Sequence, residues 1–101
     1  MTQLVFTKEF EELSALSEAI EQYHDALKEQ VEANNAYRNA KASFYIRLVS
    51  GADKKPSDSF INASIDSDAE LQKLRRARDI ANMNVEYRNA MRKLIEIAAC
   101  K

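Results

Sequence analysis

The sequence predicts an all-α fold, an antiparallel hairpin of two long helices joined by a connector with a short helical turn. Three observations predict it. Large apolar residues recur in steps of three and four over two long stretches. Gly51 and Pro56, the only glycine and proline of the 101-residue chain, stand five positions apart, which leaves turn chemistry for one reversal. Ser67-Asp68-Ala69-Glu70 then has the form of a capping box directly before a new apolar run.

Helix 1 is expected over about residues 7–50. Its stripe runs Phe10, Leu13, Leu16, Ile20, Tyr23, Leu27, Val31, Tyr37, Phe44 and Leu48. Asn34 and Lys41 interrupt this stripe; polar residues at such positions fix register or oligomer state, or mark a bend. Phe44 to Val49 is apolar on nearly every side, so more than one neighbour is expected to cover it. The connector, residues 51–66, supplies that cover in this reading. Gly51 ends helix 1 as its C′ residue, Pro56 blocks further helix, and Ser57-Asp58 caps a turn that folds Phe60, Ile61 and Ile65 back as a small plug of core.

Helix 2 is expected over about residues 67–99, with Ser67 as N-cap. Leu71, Leu74, Ala81 and Val85 form one apolar face, while Ile80, Met83, Tyr87, Met91, Leu94 and Ala98 form another, turned by about a third of a revolution. One face meets helix 1. The other needs a second partner, and so does the amino-terminal overhang of helix 1, with Phe6, Phe10 and Leu13. The chain is therefore expected to be a single domain over residues 1–101 that self-associates into a helical bundle, a dimer being the expected form. Phe6, Phe10, Leu13, Ile80, Met83, Tyr87, Met91 and Leu94 are its expected oligomer interface. A pivot at the tip sets Leu48 opposite Leu71 and Tyr37 opposite about Asn82.

Charge is divided along the chain. Residues 1–34 hold eight acids and two bases, and the remainder holds thirteen bases and eight acids. The bases concentrate in helix 2, where Lys73, Arg75, Arg76, Arg78, Arg88 and Arg92 form the expected partner-binding set. Arginine clusters recognise phosphates and acidic protein surfaces alike. A net charge of −1 lacks the strong basicity of a dedicated nucleic-acid binder, so a protein partner is the first expectation and nucleic acid the second. A third assignment is charge balance, with the bases of helix 2 lying along the acidic end of helix 1.

Catalytic chemistry has little to build on. His24 is the only histidine and has no Ser or Cys at helical spacing, and no glycine-rich loop is present to cradle a phosphate. No catalytic residue and no cofactor are expected. Glu21-x-x-His24 has the spacing of di-iron bundles, and the pivot register brings Glu96 near His24; this is a remote alternative inside an acidic helix, and no metal is assigned. Cys100, alone, makes no internal disulfide, and no apolar run approaches the length of a membrane span, so a cytoplasmic protein is expected. Asn62-Ala63-Ser64 fits a glycosylation acceptor by chance. Asn34 with Tyr37-Arg38-Asn39-Ala40 and Asn84 with Tyr87-Arg88-Asn89-Ala90 repeat at an offset of fifty, which reads either as coincidence or as a pair of similar polar patches.

The run Ala40-Lys41-Ala42-Ser43-Phe44-Tyr45-Ile46-Arg47-Leu48, the connector Lys54-Lys55-Pro56-Ser57, and the opening Asp68-Ala69-Glu70-Leu71 together resemble small helical-hairpin proteins encoded by bacteriophages near replication and recombination genes. The likeness spans about residues 30 to 98 and brings no catalytic residues. It departs from that group in the long acidic amino-terminal extension and in Asn34. It implies an accessory or inhibitory protein that acts by contact on a nucleic-acid-processing or defence complex, in the cytoplasm of a bacterial host.

Overall fold

A computed structural model describes the backbone of residues 2–51 and 53–99 and the side chains of residues 10–51 and 53–98. The chain is helical in three elements, α1 (Thr2–Ser50), α2 (Asp58–Ser67) and α3 (Ala69–Ala99), and no strand occurs among the described residues. α1 and α3 pack side by side as an antiparallel hairpin and α2 closes the tip, giving a rod of 80 × 17 × 17 Å. The fold class read from the sequence is the one observed. Circular dichroism should accordingly report a helix content above about two-thirds, against about one-third for an average globular domain.

α1 is one helix of 49 residues, without a break at Asn34. The side chain of Asn34 donates to the Gln30 carbonyl at 2.7 Å and lies 3.4 Å from Asn82 Oδ1, while Gln30 Nε2 donates to the same Asn82 oxygen at 2.9 Å. The interruption of the apolar stripe is thus a polar cross-link between the helices. It sets their register, because a shift by one turn would strand these amides, half-buried, without partners. That register corrects the tip-pivot estimate. Tyr37 stands beside Arg78 rather than Asn82, and α1 runs on for roughly a dozen residues past the end of α3.

The seam of α1 keeps Leu16, Tyr23, Tyr37 and Phe44 of the expected stripe and alternates them with smaller residues. It is Leu16, Ala19, Tyr23, Ala26, Gln30, Ala33, Tyr37, Ala40 and Phe44, alternating in steps of three and four, with Ala19, Ala26 and Tyr37 buried. Alanine recurs every seventh residue and lets the helices approach closely. The facing seam of α3 is Leu71, Leu74, Arg78, Ala81, Val85, Arg88, Arg92 and Ile95, each buried or half-buried. In the register of the Gln30–Asn82 and Gln22–Arg88 hydrogen bonds, Ala40, Ala33, Ala26 and Ala19 stand level with Leu71, Arg78, Val85 and Arg92. Small residues on one helix accommodate large ones on the other, as antiparallel coiled-coil layers require.

At the tip, Ser57 caps α2 by accepting the Phe60 N–H at 3.2 Å, as its sequence position predicts. Ile61, Ile65 and Leu71 form the buried cluster, against which Ala40 and Phe44 pack. The plug of core is there, but three details differ from the sequence reading. Phe60 points outward at 54% exposure, and Ile46 stays exposed because α2 covers only the Phe44 side of the helix end. Gly51 has no positive φ: its N–H donates to the Arg47 carbonyl at 3.2 Å, so it prolongs the helical pattern instead of reversing it. The cap of α3 is Asp68, not Ser67. Ser67 belongs to α2 and its hydroxyl donates to the Ala63 carbonyl at 2.7 Å, whereas Asp68 Oδ2 accepts the Leu71 N–H at 2.9 Å. Asp68 also ends α2, donating its own N–H to the Ile65 carbonyl, which Gln72 Nε2 bonds as well at 3.0 Å. One residue thereby turns the chain from α2 into α3. Asp68→Ala should lower stability in urea by about 1 kcal/mol, and Ser67→Ala by a few tenths at most.

Candidate interaction surfaces

The six basic residues expected to bind a partner divide into two groups. Arg78, Arg88 and Arg92 occupy seam positions and are half-buried. The Arg78 guanidinium lies 4.7 Å from the Tyr37 ring centre and is paired with Asp79 at 3.0 Å. The Arg92 guanidinium lies 5.3 Å from the Tyr23 ring, donates to Asn89 at 3.0 Å and pairs with Glu96 at 3.3 Å; its Nε is buried without an acceptor. Arg88 donates to Gln22 of α1 at 3.0 Å. Each guanidinium thus covers an aromatic ring or meets a polar group of its own chain, where desolvation strengthens the contact.

Lys73, Arg75 and Arg76, by contrast, are exposed near the tip. Arg75 reaches α2, 3.6 Å from Asp66, with both side chains open to solvent. Beneath it Tyr37, Lys41, Asn62, Asp66, Arg75 and Arg78 line a polar cleft of about 380 Å³. An exposed pair of this kind adds little stability. What remains exposed of this set is Lys73 and Arg76, one turn apart on α3 near one end of the rod, and Arg75, turned from Lys73 toward α2.

The apolar faces show the same division. Leu71 is buried, and Leu74, Ala81 and Val85 are half-buried against α1. On the other side of α3, Ile80 (66%), Met83 (68%) and Leu94 (63%) stand open, together with Tyr87, Ile97 and, least, Met91. The edge of this stripe borders an apolar groove lined by Glu29, Glu32, Ala33, Ala77, Ile80, Ala81 and Asn84. On the α1 overhang Phe10 and Leu13 are each 64% exposed; Phe6 lies outside the described side chains. Ile97 belongs to the exposed stripe and escaped the sequence reading, although its position three residues after Leu94 was the available signal.

The repeated tetrapeptide is not a pair of equivalent patches. Tyr37 is buried in the seam of α1, whereas Tyr87 is 56% exposed on the face of α3 turned away from α1. Asn34 meets Asn82 rather than Asn84. Glu21 and His24 are both exposed on α1, and Glu96 pairs with Arg92; the observed register sets His24 level with about Tyr87, so Glu96 lies roughly two and a half turns away rather than near His24. Among the described residues no group of three or more His, Cys, Asp or Glu side chains is placed to hold a metal ion. Nor is any described helix long and apolar enough to cross a membrane. No protein-family model, no characterised protein and no solved structure matches this chain.

Proposed function

We propose that the chain is a non-enzymatic protein-interaction module, an accessory or inhibitory factor of bacteriophage type that acts in the cytoplasm on a nucleic-acid-processing or defence complex. The observation that carries the reading is the division of α3. Its seam face is closed by α1, while the opposite face leaves a continuous row of large apolar side chains in water. Rows of that length mark interaction sites. Lys73 and Arg76, one turn apart near the tip, add an exposed basic surface suited to acidic groups on a partner.

A nucleic-acid-binding function using the arginines of α3 is the second reading. It draws on fewer residues than the sequence suggested, since Arg78, Arg88 and Arg92 are engaged within the hairpin. The acidic first third of the chain also repels a polyanion.

Two measurements test the proposal. In fluorescence anisotropy near physiological ionic strength, single- and double-stranded oligonucleotides should bind no tighter than about the non-specific range of 10⁻⁴–10⁻⁶ M. In capture from a bacterial lysate, protein bound by the unaltered chain should be lost with Lys73→Glu and Arg76→Glu combined, at unchanged helicity. Sub-micromolar oligonucleotide binding that falls steeply with salt, and is lost in the same variant, would replace the first reading with the second.

A further inference from the structure

The exposed face of α3 is self-complementary. Its open positions form a second seam, Ile80, Met83, Tyr87, Ala90, Leu94 and Ile97, again in steps of three and four and all exposed. We infer that this face binds the same face of a second copy, with the two α3 helices antiparallel across a twofold axis between Tyr87 and Ala90. The inference rests on the reading of the chain as an interaction module and names its first partner.

Three arguments select this occupant and this register. Antiparallel pairing about that axis sets Ile80 against Ile97, Met83 against Leu94, and Tyr87 against Ala90 of the other copy, so every large side chain finds a partner. A shift by one heptad toward the tip sets Leu94 against Arg76, placing a guanidinium in the apolar seam. Size is complementary as well, since the aromatic ring meets the smallest side chain. A parallel pair would stack Tyr87 on Tyr87 and Ala90 on Ala90, crowding one layer and leaving a void in the next.

Charge points the same way. The flank of the seam away from the groove carries Asp79, Glu86 and Lys93, all exposed. In the antiparallel register Glu86 of each copy lies beside Lys93 of the other, giving two symmetric pairs, and Asp79 is the next acid along from the same lysine. In a parallel pair this flank would instead face the uncharged flank of the other copy, and no such pair would form. The opposite flank is Asn84, Met91 and Ala98, which carries no charge and places the two Met91 side chains near the axis. A twofold interface requires such self-complementarity of one surface, and a helix face chosen for another partner has no reason to show it.

The product is a row of four helices with the α3 pair at its centre. Lys73 and Arg76 of the two copies then lie at opposite ends of the assembly along the helix axes, so a partner recognised there would be met twice.

The test uses the full chain with Cys100→Ser. Sedimentation equilibrium should show a dimer at tens of micromolar. Glu86→Lys and Lys93→Glu should each weaken it by about tenfold, by turning both pairs into like-charge contacts, and the two together should restore it. Both side chains are exposed, so circular dichroism should be unchanged throughout. Spin labels at Lys73→Cys should lie roughly 45 Å apart, about twice the distance from that residue to the axis at 1.5 Å per residue. A monomer at all concentrations, a label separation below about 20 Å, or failure of the double variant to regain affinity would each overturn the inference. If a monomeric chain still captured a partner through Lys73 and Arg76, the interaction-module reading would stand without it; if the dimer formed and captured none, the reverse would hold.

Discussion

Leu71→Ala is expected to lower the unfolding free energy by about 2–5 kcal/mol, a large share of the 5–15 kcal/mol typical of a whole domain. Leu71 is 2% exposed and is the point where all three helices meet, with Ile61 and Ile65 of α2 on one side and Ala40 and Phe44 of α1 on the other. The substitution removes the transfer free energy of the side chain and leaves a cavity among the three helices. α2 has little else to hold it. It is 10 residues long, below the length at which an isolated helix persists in water, and its two buried residues both belong to this cluster. The substitution should therefore also raise amide exchange throughout residues 58–67 well before the middle of α1 loses protection. Urea titration gives the first quantity and hydrogen exchange the second. A loss below about 1 kcal/mol, or equal protection of α2 in both proteins, would show that the tip is held by something other than this cluster.

The architecture was legible because its signals are local. One Gly and one Pro within a short stretch leave a single reversal, and Ser57 caps α2 with the chemistry its position implies. The two-faced character of α3 was equally plain from the spacing of Leu71, Leu74, Ala81 and Val85 against that of Ile80, Tyr87 and Leu94. The alanine half of the α1 seam was not legible from the large apolar residues, which mark only Leu16, Tyr23, Tyr37 and Phe44 of it. Ala19, Ala26, Ala33 and Ala40 recur at every seventh position and mark the close-packed face, whereas Val31, a member of the large-residue stripe, is 57% exposed. Close approach needs small side chains, and hydropathy alone does not rank alanine above valine.

The site was less legible for a related reason. A guanidinium carries a flat, weakly hydrated face that can lie on an aromatic ring, so arginine can occupy a seam that lysine or glutamate would break. Arg78 and Arg92 do so over Tyr37 and Tyr23, which themselves lie fourteen residues apart on α1. The matched spacing of the two tyrosines and the two arginines was in the sequence, but only the register set by Gln30, Asn34 and Asn82 reveals that they meet.

That assignment yields the second large effect. Arg78→Glu combined with Arg92→Glu should destabilise the hairpin by about 2–4 kcal/mol. Each guanidinium over a ring is worth about 0.5–2 kcal/mol, and each introduced carboxylate would be half-buried against the negative face of the same ring. At position 78 it would also stand beside Asp79, and at position 92 four residues from Glu96, exchanging two ion pairs for like charges. The matching reversal of Lys73 and Arg76, both exposed, should move stability by no more than about 0.5 kcal/mol. The contrast matters for function. Reversing Arg75 together with Arg78 would lose a partner whether by removing a contact or by loosening the hairpin, so it cannot separate the two, whereas Lys73→Glu with Arg76→Glu alters the exposed patch alone. Urea unfolding of the two double variants should therefore split by at least about 1.5 kcal/mol, and equal stabilities would return Arg78 and Arg92 to the pool of residues free to meet a partner.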